Sequence, residues 1–293
     1  MQLLSRYING NYSVEIYDDG TKIRETEENE FNAAFPENID IKITNKCHNN
    51  CTFCYESSTS NGNHGKLDYS FIDTLKPFTE LAIGGGNPLE HPELETFLIK
   101  LKERNIIANI TVRQNDFMDN YVLLKNYSES KLIYGIGVSL IEPTKEFMQQ
   151  IKVFPNAVIH TIAGILTPKQ FKRLAFKGLK ILILGYKNLG RGTSYKEEFD
   201  TEITNNIDFL RNNVIKLAPL FKVVSFDNLS LLQLNIQEQL AKDVWEECYM
   251  GDDGKHTMYI DLVKGTYSKN SLSEERFELL DNIESMFKHV KQL

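Results

Sequence analysis

Tyr12, Val14 and Ile16 alternate with polar neighbours, Asp19-Gly20 supplies a turn, and Lys22–Glu25 returns, so the chain opens on a predicted β-hairpin. The acidic run Glu25–Glu30 reads as a solvated connector. From Ile39 onward, short apolar runs alternate with stretches of helical period. Ile39–Ile43, Leu81–Ile83, Ile106–Val112, Leu132–Leu140, Ala157–Ile162 and Leu179–Leu184 read as strands. Between them, helices are expected around Tyr69–Leu75, from Pro92 with the stripe Leu94, Phe97, Leu98 and Leu101, and near Tyr121–Leu124. Two more are expected at Thr144–Ile151 and from a Thr167 cap with Pro168 at the first position. A long helix carries Ile203, Ile207, Leu210, Val214 and Leu217 on one face, and Phe221–Phe226 is a candidate for one more strand.

Strands alternating with helices imply right-handed βαβ units and a parallel sheet, open or curled into a barrel. After Asp227 the alternation stops. A helix over Ile236–Glu247, a hairpin at Thr257–Tyr267 and a polar-faced helix over Glu274–Val290 read as an appendage. The expected organisation is an N-terminal β-hairpin extension (1–37), an α/β core (38–226) and a small α+β extension (227–293), with both extensions helping to close the mouth of the core.

Composition narrows the function classes. The 293 residues carry 33 Lys+Arg against 40 Asp+Glu, a formal net charge of −7, which argues against a bulk electrostatic grip on nucleic acid or an anionic membrane. No apolar run approaches the roughly 18 residues of a membrane span, and Met1–Gly10 lacks the pattern of a signal peptide, so a cytoplasmic location is expected. Cys47, Cys51 and Cys54 are clustered, while Cys248 stands alone. In a reducing compartment such clustered thiols read as metal ligands rather than as a disulfide framework.

The cysteine segment Cys47-His48-Asn49-Asn50-Cys51-Thr52-Phe53-Cys54 follows the first core strand, and loops beyond the carboxyl ends of parallel strands build sites. Three thiolates can hold three irons of a 4Fe-4S cluster and leave the fourth open to a ligand. The alternative is a zinc site completed by His48 or His64. The run Gly84–Gly86 at the end of the second strand permits close backbone approach and opens no phosphate loop.

Cys47-x3-Cys51-x2-Cys54, with Phe53 before the third cysteine, resembles the signature of the radical S-adenosylmethionine (radical SAM) enzymes. Gly84-Gly85-Gly86-Asn87-Pro88 is similar to that family's Gly-Gly-Glu-Pro motif, and His91-Pro92-Glu93-Leu94 is also typical of it. Asn87 stands where the family has Glu, which turns an ionic contact into a neutral hydrogen bond. The resemblance spans residues 38–226 and implies a partial (β/α)6 TIM-like barrel. It further implies one 4Fe-4S cluster on Cys47, Cys51 and Cys54, with SAM held by Phe53, Gly84, Gly85, Gly86, Asn87 and Pro88. Weaker matches at strand ends add Asn115, Ser139 and Arg191 to the expected SAM contacts. His160-Thr161-Ile162-Ala163-Gly164-Ile165 resembles a motif near the adenine.

The implied reaction is reductive cleavage of SAM to a 5′-deoxyadenosyl radical that abstracts hydrogen from a substrate. A flavodoxin or ferredoxin would act as reductant. The segment around Cys248, Gly251 and Thr257–Tyr267 resembles a SPASM-type extension without its auxiliary-cluster cysteines. That favours a peptide or protein side chain as substrate and makes Cys248 a candidate hydrogen donor or substrate contact, the other reading of this lone cysteine being an inert core thiol. The alternatives are a nucleotide or small metabolite, or a non-catalytic iron–sulfur or zinc protein.

Overall fold

Every second residue of the first core strand is an isoleucine, which gives that strand one continuous apolar face. A computed structural model describes residues 2–293, so Met1 of the expected N-terminal extension lies outside the described residues. The chain begins with an antiparallel sheet of β1 (Leu3–Asn9), β2 (Tyr12–Tyr17) and β3 (Lys22–Glu25). The expected hairpin is therefore joined by a further strand, β1, whose Leu4 and Ile8 stay exposed and so give no amphipathic signal. The core follows with β4 (Asn38–Thr44), β5 (Glu80–Gly85), α1 (Leu94–Glu103), β6 (Ile107–Arg113), α2 (Gln114–Asp119) and α3 (Tyr121–Glu129). Next come β7 (Gly135–Ser139), α4 (Lys145–Gln150), β8 (Ala157–Ile162), α5 (Pro168–Leu174), β9 (Lys180–Leu184), α6 (Arg191–Leu217) and β10 (Val223–Phe226). The C-terminal part holds α7 (Asn228–Gln233), α8 (Ile236–Gln239), α9 (Lys242–Cys248), β11 (Thr257–Asp261), β12 (Thr266–Ser268), β13 (Phe277–Glu278) and α10 (Ile283–Val290).

Ten strands form one sheet in the order β10-β9-β8-β7-β6-β5-β4-β11-β12-β13, parallel from β10 to β11 and antiparallel beyond. It curls as a partial TIM-like barrel and does not close. On β4, Ile39 and Ile43 are buried away from the cavity, and on β5 so are Leu81 and Ile83. The intervening Asp40, Lys42, Ala82 and Gly84 point inward and line a cavity. A closed barrel of this type packs its interior with branched apolar side chains; here Val158, Ile162, Leu182 and Leu184 line the interior beside small and polar residues on β4, β5 and β7, and the interior stays open.

Several elements differ from their sequence signals. Tyr69–Leu75 forms a single 3-10 turn, Ser70–Thr74, because Pro77 follows within one turn. Pro92 precedes the Glu93 cap of α1 rather than opening the helix. The helix expected over Ile236–Glu247 breaks at Leu240, which is extended (φ −103, ψ 149), and α6 kinks at Phe199. The terminal helix covers only Ile283–Val290, with Ile283, Met286, Phe287 and Val290 buried. By contrast, α5 carries the expected Thr167 cap, reinforced by a reciprocal bond with Gln170.

The extensions sit at different places. The β2–β3 turn stoppers the floor of the barrel rather than its mouth. The carbonyls of Tyr17, Asp18 and Asp19 accept hydrogen bonds from Tyr134, Asn156 and Lys180, all at the amino ends of β7, β8 and β9. At the C-terminal side, β11 pairs parallel with β4, so residues beyond 226 continue the core sheet rather than hang from it. A buried charged network ties the three parts together. Glu37, fully buried, takes Lys22 at 3.2 Å and Arg24 at 2.9 Å, accepts from Tyr12 OH, and lies 3.6 Å from His256.

Candidate functional site

The loop after β4 is pinned from several sides before any cofactor is considered. Cys47 N donates to Thr59 O (2.8 Å) and Asn45 N to Asn63 O (2.8 Å), which folds the segment back on itself. The glycine-rich end of β5 docks against it: Gly86 N donates to Thr44 O (2.7 Å) and Asn87 N to Lys46 O (2.8 Å). Only glycine fits here. A Cβ on Gly86 would sit 2.2 Å from Lys46 O, and one on Gly85, at φ +109, would sit 2.4 Å from Thr44 O. Two of the three glycines thus serve loop docking as well as any ligand, while Gly84 faces open space in the cavity. Gly86→Ala is expected to displace the cysteine loop and cut the iron bound after reconstitution by roughly 10-fold or more, by analogy with losses from misplaced ligand supports. Iron and sulfide analysis of the folded variant checks this, and full occupancy would refute the docking role.

Two arginines complete the loop's frame. Arg191 donates from its backbone N to Cys54 O (3.1 Å), from Nε to Cys51 O (2.9 Å) and from Nη1 to Ser58 O (3.0 Å). It does not line the cavity, so the expected contact with a SAM carboxylate gives way to a clamp on the loop. Arg113, the last residue of β6, donates from Nη1 to Asn49 O (3.1 Å) and to Cys51 Sγ (2.6 Å). Asn49 in turn donates to Asp116 Oδ2 (2.6 Å). Burial pushes the Cys51 thiol up, and the Arg113 charge opposes this by favouring the thiolate.

Beneath the loop lies a cavity of about 840 Å³. Cys47, Cys51 and Cys54 line it at the carboxyl ends of the strands, together with Phe53, Gly84, Gly85, Gly86 and Asn87, and Ser139 lines it from the end of β7. Phe53 is backed by Tyr195, edge to face at 5.7 Å. Asn87 is only 6% exposed, and its side-chain oxygen accepts Leu89 N (3.2 Å), capping the short turn that Pro88 opens. Pro88 itself is buried outside the cavity lining.

Two expected contacts fall elsewhere. Asn115 is exposed in α2, off the cavity; its neighbours Arg113 and Asp116 line it instead. Cys248 is exposed at the end of α9 and does not line the cavity, so it is neither a core thiol nor in reach of a ligand there. Arg113 carries no motif, and its one local signal is its place at the carboxyl end of β6.

The surroundings of the thiols bear on the zinc alternative. Among the described residues no three His, Cys, Asp or Glu side chains gather around a single metal ion. His48 pairs with Glu90 (2.7 Å), and His64 packs on His91 (4.8 Å) and meets Thr44 Oγ1 (2.9 Å), so neither completes a tetrahedral zinc set. Cys47, Cys51 and Cys54 all line the one cavity, and Arg113 donates to the Cys51 sulfur.

Further in, β7 presents Gly135 and Gly137. A Cβ on Gly137 would meet the His160 ring at 2.2 Å, so that glycine makes room for the imidazole. Burial holds His160 neutral, with its pKa pushed down to about 4. Asp40 points into the enclosed interior; enclosure raises its carboxyl, and Lys187 opposes the shift.

No protein-family model matches the sequence, and no curated protein matches it. Among solved structures the chain is similar to Streptococcus suis SuiB. Against SuiB bound to precursor peptide SuiA the TM-score is 0.59 at 14% identity, covering 89% of this chain and 67% of that one. Against SuiB bound to S-adenosylmethionine it is 0.55 at 14% identity, covering 84% and 64%. Against SuiB alone it is 0.59 at 12% identity, covering 99% and 87%. At these identities the likeness is one of fold.

Proposed function

We propose that this chain is a radical SAM enzyme that acts on a peptide side chain. The observation that carries this reading is the position of the Cys47-x3-Cys51-x2-Cys54 loop at the carboxyl rim of a partial barrel, above a cavity of about 840 Å³. Cavities of that size hold drug-sized ligands. The shared fold with SuiB, solved with SAM and with a precursor peptide, supports both the cofactor and the substrate class.

Cys47, Cys51 and Cys54 would hold the 4Fe-4S cluster, and a flavodoxin or ferredoxin would reduce it. When bound, the cluster supplies the electron that cleaves the S–C5′ bond of SAM. The chain's own contribution is positioning. Arg113 offsets the thiolate charge at Cys51, and Arg191 holds the loop carbonyls. Gly84, Asn87 and Ser139 offer backbone and neutral polar groups to SAM, and Phe53, backed by Tyr195, offers an apolar face. The β2–β3 turn keeps bulk water from entering through the floor. Cys248 is left without a role. Among the described residues no helix is long and apolar enough to cross a membrane.

The test is anaerobic reconstitution with iron and sulfide, followed by dithionite and SAM. Methionine and 5′-deoxyadenosine are the expected products. Their absence from a protein carrying its full cluster would overturn the enzymatic reading.

A further inference from the structure

Beside the main cavity is an annex of about 190 Å³. The two share Lys42, Tyr55, Glu56, Tyr259 and Ser271, so the annex adjoins the space beneath the cysteines. Its walls come from two parts of the chain that the sheet brings together: the end of the cysteine loop, and the β11–β13 segment added to the edge of β4.

The charges around it do not balance. Its two carboxylates, Glu56 and Asp261, share one lysine and are otherwise held by hydrogen bonds, so the lining carries one positive charge in excess. Lys42 Nζ lies 2.5 Å from Glu56 and 3.5 Å from Asp261, and Asp261 also accepts the backbone N–H groups of Val263 and Lys264, each at 3.0 Å. Tyr259 OH donates to the other oxygen of Glu56 (3.4 Å). Three further cations, Lys187, Lys264 and Arg276, have no ion-pair partner among the described residues. Asp40, in the main cavity, is the acidic group whose charge Lys187 feels.

Two of these cations are held in place rather than left to wave in solvent. Arg276 donates to Ser268 Oγ (2.9 Å) and Ser271 O (2.8 Å), with its guanidinium 4.9 Å from the Tyr259 ring centre. Lys187 donates to Ser271 Oγ (2.8 Å) and lies 4.0 Å from the Tyr55 ring centre. Stacking on aromatic faces orients a cation while leaving its charge available. In a chain of net charge −7, a pocket whose lining carries three cations, Lys42, Lys264 and Arg276, against two carboxylates favours anions.

We propose that the annex is a subsite for a carboxylate of the peptide substrate, bound by Arg276 and Lys264, with Lys187 at its junction with the cavity. This rests on the radical SAM reading and deepens it by naming what the substrate carries. Anchoring a carboxylate there sets the register of the peptide, so that a neighbouring side chain enters the cavity beneath the cysteines. The carboxylate has two possible sources in a peptide, an Asp or Glu side chain or the free C-terminus, and the same chemistry recognises both.

The test is selection of a randomised peptide library on the reconstituted protein with SAM, in one arm with free C-termini and in the other with amidated ones. The wild-type protein is expected to enrich Asp or Glu over Asn or Gln at one position by about 10-fold in both arms, as one charge-assisted hydrogen bond predicts. If the C-terminus is the source, enrichment of peptides will instead depend on the free-carboxylate arm. The combined Arg276→Gln and Lys264→Gln variant should lose the preference, and Arg276→Lys, which keeps the charge, should retain most of it. No carboxylate preference in the wild type, or an undiminished one in the folded double variant, overturns the subsite. SAM cleavage by the wild type without peptide is scored separately. Carboxylate selection without cleavage supports the subsite and sinks the radical reading instead.

Discussion

Replacing Cys51 with alanine is expected to abolish both the visible absorbance of the reconstituted cluster and the cleavage of SAM. Supporting groups around a metal site cost about 10–100-fold when removed, so loss of a ligand thiol should exceed roughly 100-fold and reach background. Cys51 is the most exacting of the three because Arg113 is built around it, at 2.6 Å from its sulfur. Arg113→Gln keeps a donor but removes the charge that favours the thiolate. Its loss should be intermediate, on the order of 10–100-fold. Cys248→Ser, exposed and outside the cavity, should behave as wild type. Iron content and 5′-deoxyadenosine yield measured together on the three variants decide the matter. A Cys51→Ala protein that still cleaves SAM would remove that residue from the ligand set.

The largest loss of stability is expected from Glu37→Ala. Glu37 is fully buried, and the groups around it are Lys22, Arg24, Tyr12 and His256. Lys22 keeps Glu80 at 2.7 Å, but Arg24 loses its only carboxylate among the described residues, and breaking a buried ion pair in this way costs about 3–5 kcal/mol. For a chain of this size that corresponds to roughly 10 °C in the thermal midpoint. The effect should be global, because the network joins β2 and β3 to the start of β4 and to the segment before β11.

The same cluster predicts how stability depends on pH. Burial pushes Glu37 up, but Lys22 and Arg24 outweigh this and hold its carboxyl below the usual range. Burial pushes His256 down to about 4, with the Arg24 charge adding to it, so the imidazole is neutral in the folded protein. A histidine depressed on folding contributes stability that is complete above its unfolded pKa of about 6.5 and is lost as pH falls towards 4. Glu37 adds a loss of the same sign at the acid end of that window. Thermal midpoints should therefore decline from about pH 7 to pH 5. The decline should be shallower in a His256→Asn variant, and a flat profile would rule the network out as its source.

How much of this was legible from residues alone differs between the core and its edges. Strands β4 to β9 and the caps Thr144 and Thr167 carry local signals, apolar runs and capping residues, that hold whatever packs around them. The inward face of those strands was also written in the sequence as Asp40, Lys42, Ala82, Gly84 and Gly137. An apolar run reveals its buried side more readily than its open one, so the cavity did not announce itself. Arg191 and Arg113 show the limit at the site. Arg113 ends β6 and Arg191 lies beyond β9, and nothing local distinguishes an arginine that clamps loop carbonyls from one that faces a ligand. Their roles depend on where Cys51 lands, 62 residues from Arg113 and 140 from Arg191.

The sequence by itself determined the alternating α/β core, the spacing of Cys47, Cys51 and Cys54, and the glycines at the end of the second core strand. These rest on short-range chemistry: side-chain period, capping and the steric freedom of glycine. Only the tertiary structure decided that Gly85 and Gly86 press on the backbone of the cysteine loop, and that the N-terminal hairpin floors the barrel. It also decided that β11 joins β4, and so sets Arg276 and Lys264 beside the cavity. Each of those contacts joins residues far apart in the chain, so its energy depends on the whole sheet being assembled. No local pattern can carry it.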